Sequence, residues 1–319
     1  MSVRCAVIDD YQDAARRFGD WSRLGDRVEL EVFRDHLDDQ DAVAERLAPF
    51  DVVVVMRERT PFPAALLERL PRLRLLVTSG MRNASLDLEA ARRAGVTVCG
   101  TASSSEPPVE LTWALVLGLA RHLVQETTAL RDRGAWQSTV GLDLHGATLG
   151  LLGLGKIGTR VAQIGVAFGM DVVAWSQNLT ADRAEAAGAR LAGSKEELLA
   201  ASDVVSVHLV LSERTRGLLG AAELACMKPS ALLVNTSRAA IVDTEALLAA
   251  LRSGAIAGAG LDVFPEEPLP ADSPFRDLPN VLATPHLGYV TARNYRQYFG
   301  QAVEAVEAYL DGAPVRTLS

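Results

Sequence analysis

Thr148-Leu149-Gly150-Leu151-Leu152-Gly153-Leu154-Gly155-Lys156-Ile157-Gly158 is the stretch that decides the fold. A short apolar run reads as a buried strand, and the glycines that follow are spaced G-x-G-x-x-G before a helical pattern. Each glycine has its own reason: Gly153 for a tight turn, Gly155 for close approach of a pyrophosphate, Gly158 for packing of helix on strand. The helix N-terminus then offers its unpaired N–H groups to phosphate. Gly153, Leu154, Gly155, Lys156, Ile157 and Gly158 are therefore the first candidate cofactor contacts.

Outward from this turn, the pattern of short apolar strands and amphipathic helices continues in both directions. Toward the C-terminus, strands are predicted at 148–153, 171–176, 204–208, 231–235, 259–263 and 281–284, with helices at 156–168, 195–200, 221–227 and 244–253. Toward the N-terminus they are predicted at 3–9, 28–33, 51–56, 73–78 and 96–99, with helical segments at 41–48, 64–70 and 88–94. Such alternation specifies an α/β protein built on parallel sheets with helices on both faces. Thr101-Ala102-Ser103-Ser104-Ser105-Glu106-Pro107-Pro108 interrupts it as a linker, and one long helix is predicted from Pro108 to Arg131. After His286 only about thirty residues remain, mostly one amphipathic helix over 291–310, too few for a domain of their own. The expected organisation is two doubly wound, Rossmann-like domains. Residues 104–286 form the nucleotide domain, inserted in a discontinuous, flavodoxin-like substrate domain of residues 1–103 and 287–319.

Composition narrows the class. The chain has 319 residues, 49% apolar and 23% charged, which is globular, and no apolar run is long enough to span a bilayer. A net charge of −8 disfavours nucleic acid as a partner. Cys5, Cys99 and Cys226 lack metal-ligand spacing and are expected as reduced core residues of a cytoplasmic protein, with no metal.

Three further islands carry chemistry: Asn235-Thr236-Ser237-Arg238, Asp262 to Pro268, and Thr284-Pro285-His286-Leu287-Gly288. All follow strands, the side on which such sheets bind ligands. Arg238 offers a fork that binds a carboxylate through two charge-assisted bonds and polarises a carbonyl. His286 can give or take a proton near neutral pH. Glu267, flanked by Pro265 and Pro268, is placed to hydrogen-bond that imidazole, with Glu266 as rival. Asp262 is expected to orient a nicotinamide amide or support Arg238. His36, His122, His145 and His208 show no comparable partners, and His208, which ends a strand, is expected to line the cofactor cleft. Ser176, His208, Leu209, Thr215, Thr236, Ser237 and Asp262 complete the candidate cofactor contacts. Where an acidic residue would normally receive the adenosine ribose, the chain reads Trp175-Ser176-Gln177-Asn178, with Arg183 further on, so NAD and NADP both remain open.

These motifs, in this order and spacing, resemble the D-isomer-specific 2-hydroxyacid dehydrogenases nearly end to end. The resemblance implies hydride transfer between NAD(P)(H) and a 2-keto acid/D-2-hydroxy acid pair. It places the catalytic arginine, glutamate and histidine on Arg238, Glu267 and His286, and implies a homodimer formed through the nucleotide domains. The glutamate argues against formate dehydrogenases, which carry glutamine there; alternatives are a phosphite-type dehydrogenase or an NAD(H)-sensing, corepressor-like binding protein. The chain departs from the family in its carboxylate-binding loop. Here G-x-G-x-D-N-I-D becomes Gly80-Met81-Arg82-Asn83-Ala84-Ser85-Leu86-Asp87, and V-A-E-H becomes Pro108-Val109-Glu110-Leu111-Thr112. Arg59, Gly80, Met81, Arg82 and Asn83, with Arg238, form the expected substrate set, the two extra arginines suiting a second anionic group.

Overall fold

The structure, a computed structural model, describes residues 2–318; Met1 and Ser319, the outer limits of the expected terminal segments, lie outside the described residues. The chain divides into two compact units, one running to Ser104 and resuming at Val290, the other Ser105–Tyr289.

The first unit holds β1 (Val3–Val7), β2 (Val28–Val32), β3 (Val52–Val55), β4 (Leu75–Thr78) and β5 (Thr97–Gly100) in one parallel sheet of order β2-β1-β3-β4-β5. Its inner strands β3 and β4, Val-Val-Val-Val and Leu-Leu-Val-Thr, are buried throughout. Helices on both faces of a parallel sheet require this. The edge strand β2 instead alternates, with Glu29 and Glu31 exposed. The order is that of a flavodoxin-like sheet. The returning helix Ala292–Leu310, capped by the Thr291 hydroxyl, packs its Tyr295, Phe299, Val303 and Val306 face against β4 and the short helix Ala15–Phe18.

The second unit holds β6 (Thr148–Leu152), β7 (Asp171–Trp175), β8 (Arg190–Leu191), β9 (Val204–Val207), β10 (Leu232–Asn235), β11 (Gly258–Leu261) and β12 (Val281–Ala283). The strands pair in parallel in the order β12-β11-β10-β9-β6-β7-β8. The winding reverses between β6 and β9, the switch point where dinucleotides bind in such sheets. Apolar layers cover both faces, one around Leu198, Leu233 and Leu248, the other around Trp113, Leu149 and Val161.

The two parallel sheets match the expected α/β class, with corrections. The single helix predicted over 108–131 is two, Glu106–Ala120 and Leu123–Arg131, broken where His122 adopts a left-handed φ of 49°. The orphan carbonyl of Ala120 accepts the Leu142 N–H at 2.8 Å, so the returning chain caps the first helix and frees the second to change direction. The short strand β8 and the tight turn Trp21–Arg27 carry no apolar periodicity and escape a reading based on it. Cys5 and Cys99 are buried, but Cys226 is only half-buried; burial pushes the Cys5 thiol up to about 12.

Candidate active site

The loops after β6, β9, β10, β11 and β12 leave the same edge of the second sheet. Neighbouring strands lie about 4.8 Å apart, so residues distant in sequence meet there. At the head of β6, Gly153 takes φ 101°, and a Cβ on it would sit 2.6 Å from the His208 carbonyl oxygen. A Cβ on Gly158 would collide with the Gly153 carbonyl. Both glycines are thus required by the chain itself. Gly155 is different: it caps the helix Lys156–Ala167, has extended backbone, and a Cβ there would meet nothing within 4 Å. The protein gives no internal reason for a glycine at 155, whereas a pyrophosphate lying on the helix N-terminus does. A dinucleotide therefore fits this turn.

At the end of β7, Trp175 O accepts the Gly153 N–H at 2.9 Å, which sets Ser176 beside the glycine turn, and no carboxylate occupies positions 176–178. Leu209 packs its Cδ2 over Gly153. The Thr215 hydroxyl is engaged within its own turn, accepting from Ser212 N at 2.8 Å and donating to Val210 O at 2.7 Å. His208 has a partner after all, Ser206 Oγ at 2.9 Å from Nε2. Burial pushes this imidazole from the usual 6.5 down to about 4. The folded state therefore refuses a proton that the unfolded chain accepts. Stability present above pH 6.5 is lost as pH falls toward about 4, a swing of at most about 3 kcal/mol. Between neutral pH and the middle of that window, urea unfolding should show a smaller loss of stability in His208→Asn than in wild type, and equal losses in the two would contradict it.

After β10, Asn235 shapes the loop: its Oδ1 accepts Ser237 N and its Nδ2 donates to Arg238 O, both at 3.0 Å. Ser237 Oγ donates to Val207 O at 2.7 Å, and Thr236 Oγ1 lies 2.9 Å from Thr112 Oγ1. Arg238, half-buried, donates from Nη1 to Ser237 O at 2.8 Å.

The strands β11 and β12 bring Glu267 and His286 together. His286 Nδ1 lies 2.6 Å from Glu267 Oε2, while Glu267 Oε1 accepts the Phe264 N–H at 2.8 Å, so both carboxylate oxygens are fixed. Glu266 is exposed. The His286 ring meets Tyr289 edge-on, with centroids 5.7 Å apart, and remains 24% exposed. Its backbone is held at φ 53°, unusual for a non-glycine residue and sustained only by neighbours that enforce it. Asp262 supplies that enforcement. It is 1% exposed and accepts Thr284 Oγ1, Leu287 N and Gly288 N at 2.7, 2.7 and 2.8 Å. Its contacts therefore clamp the His286 loop, a role that sequence reasoning missed. Asp262→Ala would strand three donors and should cost about 3 kcal/mol in urea unfolding. A loss below 1 kcal/mol, roughly one ordinary hydrogen bond, would contradict the clamp.

In the first unit, Gly80 has φ 96° and its N–H donates to Thr101 Oγ1 at 2.9 Å. Asn83, expected among substrate ligands, has its amide fully engaged. Nδ2 donates to Arg57 O at 2.6 Å and Thr78 Oγ1 at 2.9 Å, and Oδ1 accepts Ser85 N and Oγ. These bonds shape the loop after β4. Met81 and Arg82 are exposed. Arg57, not singled out from sequence, lays its guanidinium where a Cβ on residue 80 would project. Arg59 donates from Nη1 to Asp9 O at 2.5 Å and stacks over Tyr11 at 4.3 Å. His36 also has partners, contrary to expectation: Asp9 at 2.7 Å and Asp38 at 3.1 Å.

Residues 113–288 match the family model described as D-isomer specific 2-hydroxyacid dehydrogenase, NAD binding domain. The chain belongs to the D-isomer-specific 2-hydroxyacid dehydrogenases. Among members of that family, it is 41% identical to a glyoxylate reductase of Aeropyrum pernix over 77% of this chain and 76% of the relative. It is 35% identical to a hydroxypyruvate reductase of Thermotoga maritima over 89% and 92%. It spans about half the length of the D-3-phosphoglycerate dehydrogenases that it also matches. A phosphoglycerate oxidoreductase structure from Vibrio cholerae superposes with a TM-score of 0.93 at 38% identity, covering 98% of this chain and all of that one. The protein is thus a nicotinamide-dinucleotide-dependent oxidoreductase of the 2-keto acid/D-2-hydroxy acid class, which does not favour the corepressor and phosphite alternatives. Among the described residues no helix is long and apolar enough to cross a membrane.

Proposed function

We propose that this chain reduces small 2-keto acids of the glyoxylate and hydroxypyruvate type to 2-hydroxy acids, D-configured where C2 is a stereocentre, with His286 as proton donor, Glu267 as its orienting partner and Arg238 as carboxylate anchor. The observation that carries this reading is the 2.6 Å bond from His286 Nδ1 to a carboxylate whose second oxygen is already fixed. With Nδ1–H committed to Glu267, the tautomer is set and Nε2 is left to exchange a proton with the substrate oxygen. When bound, the nicotinamide supplies or accepts the hydride. In the reducing direction Nε2–H is donated to the carbonyl oxygen as it becomes a hydroxyl; in the oxidising direction Nε2 receives that proton. The Arg238 guanidinium neutralises the carboxylate and draws charge toward the carbonyl oxygen.

Gly153–Gly158, Ser176, His208, Leu209, Thr236 and Ser237 would hold the dinucleotide, with Thr215 shaping the loop after β9 and Asp262 acting through the His286 loop. Arg59, Gly80, Met81 and Arg82 would hold the acid, through the N–H groups of Met81 and Arg82 in particular, since that of Gly80 is taken by Thr101. A homodimer suits the apolar side chains left exposed on and after the helix Leu123–Arg131: Leu123, Val124, Leu130, Trp136 at 79% and Val140 at 92%. A cytoplasmic location suits three free cysteines. The test is oxidation of NADH and NADPH with glyoxylate, hydroxypyruvate and pyruvate, followed by chiral analysis of the glycerate and lactate formed from the last two. D-product formation is expected, and no turnover of any 2-keto acid would overturn the reading.

A further inference from the structure

The first sheet ends in a second charged cluster. The loops after β2, β1 and β3 are neighbours because the strands are, and they carry His36, Asp9 and Arg59. Asp9 is at the centre. It is 1% exposed, holds a left-handed φ of 58°, and is gripped from three sides. Oδ1 meets His36 Nδ1 at 2.7 Å, Oδ2 accepts Thr60 Oγ1 at 2.7 Å, and the backbone carbonyl accepts Arg59 Nη1 at 2.5 Å. One residue therefore ties the histidine to the arginine.

We propose that His36 is a positioning residue for substrate binding: through Asp9 it holds the guanidinium of Arg59 in place to bind an anionic group of the 2-keto acid. This rests on the function proposed above. The physical reason is the charge on Asp9. A buried carboxylate is costly unless a cation or several donors compensate it. The imidazole, nearly enclosed itself, is the ring against that carboxylate. When His36 is protonated, its charge-assisted bond holds the loop carrying Asp9 in the conformation whose carbonyl anchors Arg59; when it is neutral, that bond loses its charge assistance and the anchor weakens. The ring of Tyr11, two residues beyond Asp9, also stacks on Arg59, so a shift of this loop moves both of these contacts together.

The groups that face His36 favour the protonated form on balance. The hydrogen bond to Asp9 raises its pKa most, with the charges of Asp9 and Asp38 adding to it, while burial and the Arg59 charge oppose. Asp35, the neighbour in sequence, is itself paired with Arg46 at 2.5 Å. Since the folded pKa is raised, the anchoring is complete below the ordinary histidine value of about 6.5 and is lost as pH rises through the raised value.

The experiment is a profile of KM and kcat for glyoxylate against pH, with wild type, His36→Asn, His36→Ala, Arg59→Gln and the His36→Ala/Arg59→Gln double variant. Asparagine retains a donor at the Nδ1 position without titrating. In wild type KM should rise several-fold with pH over that range while kcat stays level apart from the shared dependence of the reaction. In His36→Asn the rise should vanish. His36→Ala should raise KM about tenfold, equivalent to about 1.4 kcal/mol, with unchanged KM for NADH. In the Arg59→Gln background the same substitution should add nothing. Additive effects, a pH rise retained in His36→Asn, or a loss in kcat in place of KM would overturn the positioning role while leaving the proposed function standing. A wild-type chain that turns over no 2-keto acid would remove both.

Discussion

Replacing His286 with glutamine should lower kcat for glyoxylate reduction about a thousandfold, within the range of roughly 10²–10⁴ associated with general acid–base groups, while NADH still binds. Glutamine has a donor but cannot pass a proton on and recover it, so the loss falls on the chemical step. The dinucleotide turn lies after β6, four strands from β12, and its geometry does not depend on residue 286. Glu267→Gln should give a related but smaller loss, because the imidazole remains while its tautomer and orientation are no longer fixed. The checks are kcat and KM for both substrates with calorimetric NADH binding. A His286→Gln enzyme that keeps more than a tenth of wild-type kcat would place the proton donor elsewhere.

The second large effect separates two glycines three residues apart. Gly155→Val adds a side chain into space where nothing lies within 4 Å, on extended backbone, so the fold should keep its Tm. The added bulk would occupy the approach to the helix N-terminus, and the Kd for NADH should rise more than about 100-fold, nearly 3 kcal/mol. Gly158→Val meets the Gly153 carbonyl, a backbone atom that cannot move aside without pulling β6 from its helix. It should lower stability by about 3 kcal/mol or prevent soluble expression, before any question of binding arises. Thermal unfolding and NADH titration of the two variants check this. If both lost stability equally, position 155 would be an internal packing site, and the argument from its open space would fail.

The parts of this molecule that are legible in its sequence share a physical signature. Val52–Val55 and Leu75–Thr78 announce themselves because strands buried on both faces must be continuously apolar. The glycine turn is legible because three backbone constraints fall at fixed offsets. Glu267 and His286 each lie just past the end of a predicted strand, in motifs with family spacing, and the structure brings them to 2.6 Å. What stays hidden depends on conformation or on long-range pairing. The break at Arg121–His122 uses neither glycine nor proline, and the donor that caps it, Leu142, comes from the returning chain. The contacts of Asp262 with Thr284, Leu287 and Gly288 need the register of β11 against β12. Asp9 and His36 meet only because β1 and β2 pair side by side, and no spacing rule links them. Asn83 reads as a ligand by its motif position, whereas the Arg57 carbonyl and Thr78 hydroxyl occupy its amide.

The central claim is that hydride reaches C2 of a 2-keto acid while His286, held by Glu267, supplies the proton to the adjoining oxygen. Its most direct test is reduction of pyruvate or hydroxypyruvate by NADH deuterated at nicotinamide C4, with the product resolved by chiral chromatography and mass spectrometry, in wild type and in His286→Gln. The account predicts one deuteron at C2 of a D-configured hydroxy acid from the wild type, and almost none from the variant at equal NADH occupancy. An L-configured product, a product without deuterium at C2, or equal yields from the two enzymes would contradict it.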